Sequence, residues 1–314
     1  MAQTHTQIIW LDGKLKPWSE GTTHMMSHTV HYGSGCFEGI KCYNTPDGPA
    51  IFRLEDHMIR LRRSARSFEM EIPFSVEELV QAAIDVVKAN RVDSCYIRPI
   101  ALYGYDTLGV HPKNCPVQVA IACFDWGAYL GQEGLEKGVR VTYSPWRKAH
   151  WSAFPTTAKV NGQYLNSLLA VRDAKKRGFD EAVLLNMEGN IAEGSGQNLF
   201  LVKNGVVRTN DEKSSILPGI TRESIIQLCR DLGIPVEIGV ISKEDLQSAD
   251  EMFFTGTATE VTPIREIEGQ IVGNGRPGPI TGQLRSLYFE IVGGRRPEYR
   301  HWLAYLQTTT NVSQ

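Results

Sequence analysis

Apolar residues recur at helical spacing in several parts of the chain, and each of these parts predicts an α-helix. The clearest follows Ser75, where Ser75-Val76-Glu77-Glu78 forms a capping box and apolar residues then repeat on one face. Further helices are predicted to begin at Leu54, to span Tyr164 to Arg177 before a stop at Gly178, and to run from a Thr221 cap to Gly233. Helices are therefore expected in both halves of the chain.

Short apolar runs between these helices predict buried β-strands. The longest run covers residues 117–124, and others lie at 139–143, 182–185 and 252–255. Because strands and helices are mixed along 314 residues, we predict an α/β (α+β) fold with more than one domain.

A change of pattern near residue 125 suggests where two domains join. Residues 124–131 combine aromatic side chains with glycines, which fits a linker that also forms the wall of a cleft. A surface loop with two aromatic side chains packed beneath it fits equally well. We predict a small N-terminal α/β domain at 1–124, an interdomain loop at 125–137 and a larger C-terminal domain at 138–314.

Composition and charge narrow the class of protein. Hydrophobic residues make up 42% of the chain and charged residues 22%, and the formal net charge is -2. This balance gives no electrostatic reason to expect a nucleic acid or an anionic membrane as a partner. With no apolar run long enough for a membrane span and no signal-like start, we expect a soluble, cytoplasmic protein. The six cysteines are expected to be reduced thiols, and the histidines lack metal-ligand spacing, so no metal is expected.

Lys159 is the first candidate for chemistry, because it is the only charged residue from Trp151 to Val171. Burial in such a segment disfavours the charged ammonium, and a neutral amine can attack a carbonyl carbon and form a Schiff base. A lysine with a buried aliphatic stem and an exposed ammonium is the commoner explanation of such a pattern. The residues around Lys159 leave both interpretations open.

Glu193 is the second isolated charge, with no other between Glu188 and Lys203. A carboxylate buried alone is unfavourable, so it needs a partner, and a protonated pyridine nitrogen of a cofactor would supply one. A glutamate in a glycine-flanked turn is the alternative interpretation.

Two turns could bind a phosphate group. Residues 217–222 place Gly219 and Thr221 at a helix start, where free backbone N–H groups attract anions, and residues 256–259 form a second turn with hydroxyls. Arg60 could add a fixed positive charge. Each turn alone is weak evidence, because turns and helix caps favour the same residues. A non-catalytic protein that binds phosphate-bearing ligands would carry the same features.

Seven short segments occur in an order that matches a known family. They are YGSGCFEGIK at 32–41, HMIRL at 57–61, YIRP at 96–99, WGAY at 126–129, KVN at 159–161, EGSGQN at 193–198 and GTA at 256–258. Together they resemble the class IV (fold type IV) aminotransferases, and within that class the branched-chain amino acid aminotransferases. The resemblance extends over residues 10–285.

The resemblance implies pyridoxal 5'-phosphate (PLP) as cofactor and assigns roles to individual residues. Lys159 corresponds to the lysine that binds PLP covalently and acts as the base, Glu193 to the partner of the ring nitrogen, and Tyr164 to the residue that contacts the phenolic oxygen. The phosphate would be bound by Arg60, Ile220, Thr221 and Thr257. The substrate would be bound by Tyr32, Phe37, Gly39, Lys41, Tyr96, Arg98, Trp126, Tyr129 and Ala258, with Arg98 receiving the distal carboxylate of glutamate.

The implied protein is a two-domain fold type IV enzyme whose larger domain carries a barrel-like sheet and whose chains form a homodimer or a larger oligomer such as a hexamer. The implied reaction transfers the amino group of leucine, isoleucine or valine to 2-oxoglutarate in a ping-pong sequence. D-Amino acid aminotransferases, R-selective amine transaminases and aminodeoxychorismate lyases share the equivalents of Lys159 and Glu193. The choice among them depends on the pocket residues, where this chain resembles the branched-chain type: Phe37, Gly39, Lys41, Tyr96 and Arg98.

Overall fold

A computed structural model of the chain describes residues 6–127 and 130–306, which divide into two units. Unit 1 consists of the described residues up to Trp126 together with those from Phe289 onward, and unit 2 is Gly127–Tyr288. No helix in the described part of the chain is long and apolar enough to cross a membrane.

The elements are numbered in chain order. The α-helices of the described residues are α1 (His28–Tyr32), α2 (Leu54–Arg66), α3 (Val76–Asn90), α4 (Gly131–Lys137), α5 (Tyr164–Lys176), α6 (Ile220–Asp231), α7 (Lys243–Gln247) and α8 (Pro279–Val292). The strands of the first half are β1 (Ile8–Leu11), β2 (Lys14–Pro17), β3 (Gly35–Phe37), β4 (Ile40–Tyr43), β5 (Ala50–Phe52), β6 (Cys95–Tyr103), β7 (Val117–Phe124) and β8 (Val139–Tyr143). The remaining strands are β9 (Glu181–Leu185), β10 (Ile191–Gly194), β11 (Asn198–Lys203), β12 (Val206–Asn210), β13 (Val236–Gly239), β14 (Glu251–Gly256), β15 (Glu260–Ile267), β16 (Gln270–Ile271) and β17 (Leu303–Tyr305).

Unit 1 is an antiparallel sheet covered by α2 and α3. The strand order is β17-β5-β4-β6-β7-β1-β2, and β3 also pairs with β6. Helix α3 begins as predicted: Ser75 Oγ accepts a hydrogen bond from the Glu78 N–H at 3.1 Å, and Glu78 Oε2 accepts one from the Ser75 N–H at 2.7 Å. Its apolar face is buried with Met58 and Leu61 of α2 against Ile97 and Ile121 of the sheet. The predicted helices at Leu54 and Ser75 and the strand at 117–124 are thus present.

The last described strand, β17, belongs to unit 1, which differs from the predicted C-terminal domain at 138–314. Strand β17 pairs antiparallel with β5, and the Arg53 N–H donates a 2.7 Å hydrogen bond to the Trp302 carbonyl. Pairing between strands so far apart in sequence leaves no local signal. The described residues from Phe289 onward therefore belong with the N-terminal unit.

The predicted interdomain loop at 125–137 also differs from the structure. Helix α4 occupies Gly131–Lys137, with Leu135 buried and the helix packed on β15. Gly131 and Gly134 weaken the helical pattern in this segment, since glycine disfavours a helix interior. Residues 128 and 129, which include Ala128 and the predicted pocket residue Tyr129, lie outside the described residues.

Unit 2 contains a curled, half-barrel sheet, as predicted. Its order is β10-β9-β8-β15-β14-β11-β12-β13, with β16 added to β15. The edge strand β10 approaches the far end of this order, because the Ile191 N–H donates to the Ile241 carbonyl at 2.9 Å and Asn210 Nδ2 donates to the Ile191 carbonyl at 2.7 Å. The barrel interior is apolar, and its buried residues include Val141, Leu199 and Phe254.

Helix α6 corrects one expectation about Thr221. The residue that precedes the helix is Gly219, in an extended conformation and without a side-chain cap, while Thr221 lies in the first turn. The threonine therefore does not cap the helix. The predicted stop is present, since the helix ends at Asp231 and Gly233 has a φ of 66°.

Candidate active site

Lys159 and Tyr164 are joined by a hydrogen bond in unit 2. Lys159 is half-buried between the buried residues Ala158 and Val160, and a short 3-10 turn (Asn161–Gln163) leads from it into α5. This turn brings the first residue of α5 back over the lysine, so that Lys159 Nζ lies 2.7 Å from Tyr164 Oη. The structure thus brings together two of the predicted cofactor-binding residues.

Glu193 is buried on β10 and has a positive partner within the protein itself. Lys148 Nζ lies 2.6 Å from Glu193 Oε1, and both side chains are under 10% exposed. Glu193 Oε2 accepts hydrogen bonds from Asn198 Nδ2 and the Leu217 N–H, each at 3.1 Å. The sequence indicates that Glu193 needs a partner. Lys148 does not stand out in the sequence, because Arg147 and His150 lie beside it and such a cluster of cations is typical of a surface.

Asn198 connects Glu193 to the first predicted phosphate-binding turn. Its Nδ2 also donates to the Leu217 carbonyl at 2.8 Å, and a Cβ on Gly219 would overlap its Oδ1. A glycine is therefore required ahead of α6, and it offers no side chain to the first-turn N–H groups. Ile220 and Thr221 remain available to bind an anion at this helix start.

The second predicted turn, which carries Thr257 and Ala258, lies beside the same segment. It joins β14 to β15, and a Cβ on Gly256 would lie 3.6 Å from the Gly196 carbonyl oxygen. Thr255, the sheet partner of Asn198, has a buried Oγ1 without a hydrogen-bond partner among the described residues. Unit 2 thus gathers Glu193, the start of α6 and the 256–259 turn around Asn198.

Arg60 in unit 1 is bound by the buried carboxylate of Glu38, which is not among the residues predicted from the sequence. Its Nε and Nη2 donate to the two oxygens of Glu38 at 2.7 and 2.8 Å, and His57 Nδ1 lies 2.7 Å from Glu38 Oε2. Burial opposes the ionisation of Glu38, but the charge and hydrogen bonds of Arg60, supported by His57, hold the pKa of this carboxyl well below its usual range. The guanidinium of Arg60 is therefore fixed in direction.

Arg98 lies among three aromatic rings of unit 1. Its guanidinium carbon is 4.8, 5.3 and 5.6 Å from the ring centroids of Phe37, Tyr96 and Trp126. Its Nε has no hydrogen-bond partner within residues 6–127 and 130–306. A positive group with apolar walls can accept either an aliphatic side chain or a carboxylate. Four predicted substrate residues are thus brought together.

Three other predicted pocket residues have different surroundings. Lys41 is the sheet partner of Tyr96, on neighbouring strands β4 and β6. Gly39 lies against the Tyr96 hydroxyl. Tyr32 is half exposed, and its Oη donates a 2.8 Å hydrogen bond to the Leu108 carbonyl.

Replacing Gly39 by alanine should disturb this pocket. The added Cβ would overlap both Oη and Cζ of Tyr96, whose buried ring has its centroid 4.5 Å from that of the Trp126 ring. We expect kcat/KM for the substrate to fall by about 10-fold to 200-fold, the range for reshaping a substrate pocket. Steady-state kinetics would test this, with Gly282→Ala as control because its Cβ position is open. Equal kinetics in the two variants would contradict the pocket assignment.

Comparison with known proteins identifies the family. The family described as amino-transferase class IV matches residues 35–267. A branched-chain-amino-acid aminotransferase of Pseudomonas aeruginosa is 44% identical over 295 residues, covering 94% of this chain and 96% of that protein. A crystal structure of the Escherichia coli branched-chain amino acid aminotransferase superposes with a TM-score of 0.94 at 42% identity, covering 96% and 100% of the two chains.

A branched-chain amino acid aminotransferase from Thermobaculum terrenum, solved in its PLP-form, has a TM-score of 0.91 at 35% identity and covers 98% of this chain and 100% of its own. The chain belongs to the class IV aminotransferase family. The predicted family and the two-domain fold type are confirmed.

Proposed function

We propose that this protein is a PLP-dependent aminotransferase that acts on branched-chain L-amino acids with 2-oxoglutarate. The names of its relatives support the reaction. The placement of Arg98 among Phe37, Tyr96 and Trp126 carries the substrate assignment, because such a pocket accepts both an aliphatic side chain and the distal carboxylate of glutamate. The other enzymes of this fold are not favoured by these comparisons.

The residues of unit 2 fit PLP. The amine of Lys159 suits the aldehyde, and the buried carboxylate of Glu193 suits the ring nitrogen. The uncapped helix start at Ile220 and Thr221 suits the phosphate, as does the hydroxyl of Thr255, which has no hydrogen-bond partner among the described residues. On the family resemblance alone we assign Thr257 and Arg60 to the phosphate as well. Within unit 1, Glu38 holds Arg60 in its direction.

The chain's own residues then have distinct tasks. PLP, when bound, supplies the carbonyl that receives the amino group and a ring that withdraws electrons. Lys159 Nζ holds the cofactor at rest and moves the proton from the substrate Cα during turnover. Tyr164 Oη, 2.7 Å away, directs that amine. Glu193 would bind the ring nitrogen, and Arg98 would bind the distal carboxylate of glutamate or 2-oxoglutarate.

A substrate panel tests the proposal. With 2-oxoglutarate as acceptor, L-leucine, L-isoleucine and L-valine should react with a kcat/KM at least about 100-fold above that of D-alanine or an R-amine, because stereochemistry and pocket shape both select. The purified protein should be yellow, and borohydride should fix the cofactor to Lys159. Activity on D-alanine alone would favour a D-amino acid aminotransferase, and a colourless protein that ignores PLP would favour a phosphate-ligand binding protein.

We also propose that the protein works in the cytoplasm as a homodimer or a larger homo-oligomer. The family resemblance supports both points.

A further inference from the structure

The ion pair between Lys148 and Glu193 has no role in the function proposed so far. Lys148 follows β8, and its backbone N–H donates to the Leu185 carbonyl at 2.8 Å, which anchors the residue to the half-barrel. Its side chain is 8% exposed, and its ammonium lies 2.6 Å from Glu193 Oε1. A lysine so deeply buried on a carboxylate assigned to the cofactor is placed to influence that carboxylate's charge.

Orientation of Glu193 does not depend on Lys148 alone. Oε2 is held by Asn198 Nδ2 and the Leu217 N–H, both attached to the barrel and to the turn before α6. Because a carboxylate oxygen can accept two hydrogen bonds, Oε1 can receive a second donor beside the lysine. Removing the ammonium would therefore leave the carboxylate facing the same way and would change chiefly its charge balance.

Arg222 is a second cation near Glu193. Its guanidinium interacts with the carboxylate electrostatically, but burial lowers the pKa of Arg222, and its Nη2 is used in a 2.6 Å hydrogen bond to the Asn210 carbonyl. Lys148 is the cation in direct contact with the carboxylate.

We propose that Lys148 is a positioning residue that shares the negative charge of Glu193 and thereby limits how strongly Glu193 attracts a protonated ring nitrogen. The inference rests on the proposed function. The Lys148 ammonium and the ring nitrogen would then share one oxygen of Glu193. Because the two positive groups repel each other in this buried site, each would be bound less strongly by the carboxylate. In the cofactor-free protein, Lys148 neutralises the buried negative charge of Glu193.

The proposal predicts a coupling between Lys148 and the ring nitrogen of the cofactor. Apoprotein would be titrated with PLP and with the 1-deaza analogue, in which a C–H group replaces the ring nitrogen. We expect the ratio of the two Kd values, analogue over PLP, to rise by about tenfold or more in Lys148→Met, within the usual range of coupling between sites. A role in packing alone would change both Kd values by the same factor.

Three further variants make the result decisive. Lys148→Arg keeps the charge and should keep the parent ratio within about twofold, as should Lys203→Met, which breaks an exposed ion pair with Asp250. Lys148→Gln keeps a hydrogen-bond donor without the charge and should behave like Lys148→Met, which secures the test if the methionine variant does not fold. An unchanged or lowered ratio in the uncharged variants would overturn the proposal. A parent protein that fails to bind PLP would instead overturn the proposed function.

Discussion

Lys159→Ala should still bind PLP but should no longer transaminate. The phosphate and ring contacts assigned to Arg60, Thr221 and Glu193 do not involve the lysine, so binding should weaken without being lost. The amine that moves the Cα proton is absent, and loss of such a group alone lowers turnover by about 10²-fold to 10⁴-fold. Turnover of L-leucine with 2-oxoglutarate would be measured beside the PLP content after dialysis and after borohydride treatment.

Lys203→Ala is the control for this variant, because Lys203 forms an exposed ion pair with Asp250, away from the assigned cofactor residues. It should keep parent turnover and borohydride labelling. Near-normal turnover in Lys159→Ala would show that Lys159 does not move the substrate Cα proton. The unfolding midpoint shows whether the variant still folds. It should stay near the parent value, because Lys159 is half-buried and its side chain makes a hydrogen bond to a residue at the start of a helix.

Much of the fold could be predicted because its signals are local. Helix α3 is encoded by a capping box and a periodic apolar face within a few residues, and the strand at 117–124 by a continuous run. The pairing of β17 with β5 could not be predicted in this way, since it joins residues that lie far apart in the sequence. Helix α4 was not predicted, because two glycines weaken its helical pattern. It is stabilised by packing on β15, a contact that the local sequence does not show.

Some residues of the candidate site have a local signal in the sequence, and others do not. Lys159 and Glu193 stand out in the sequence because each is a single charge in a low-charge segment. Lys148, Asn198 and Glu38 acquire their roles only from contacts made through folding. Glu38 lies within a family segment, yet only the structure shows that it binds Arg60. The substrate-binding residues were predicted from the family resemblance, because their positions in the sequence carry no physical signal of that role.

Glu38→Gln should be strongly destabilising. It removes the carboxylate that pairs with the buried Arg60 guanidinium, and breaking a buried ion pair in this way costs about 3–5 kcal/mol. The pKa of Glu38 is lowered in the folded protein, so its stabilisation is fully present above the unfolded-state pKa of about 4.3 and is lost as the pH falls towards the folded-state value. Denaturant unfolding at pH 7 and in acid would measure both effects.

The comparison with Glu20→Gln tests whether burial is the cause. Glu20 pairs with Lys16 at 2.8 Å on the exposed surface, so its replacement should change the free energy of unfolding by less than about 1 kcal/mol. The gap between parent and Glu38→Gln should narrow in acid, because the parent then loses the same charge that the variant lacks. A gap that is as small as that of Glu20→Gln at pH 7, or that widens in acid, would show that Arg60 does not depend on Glu38 for its place in the core.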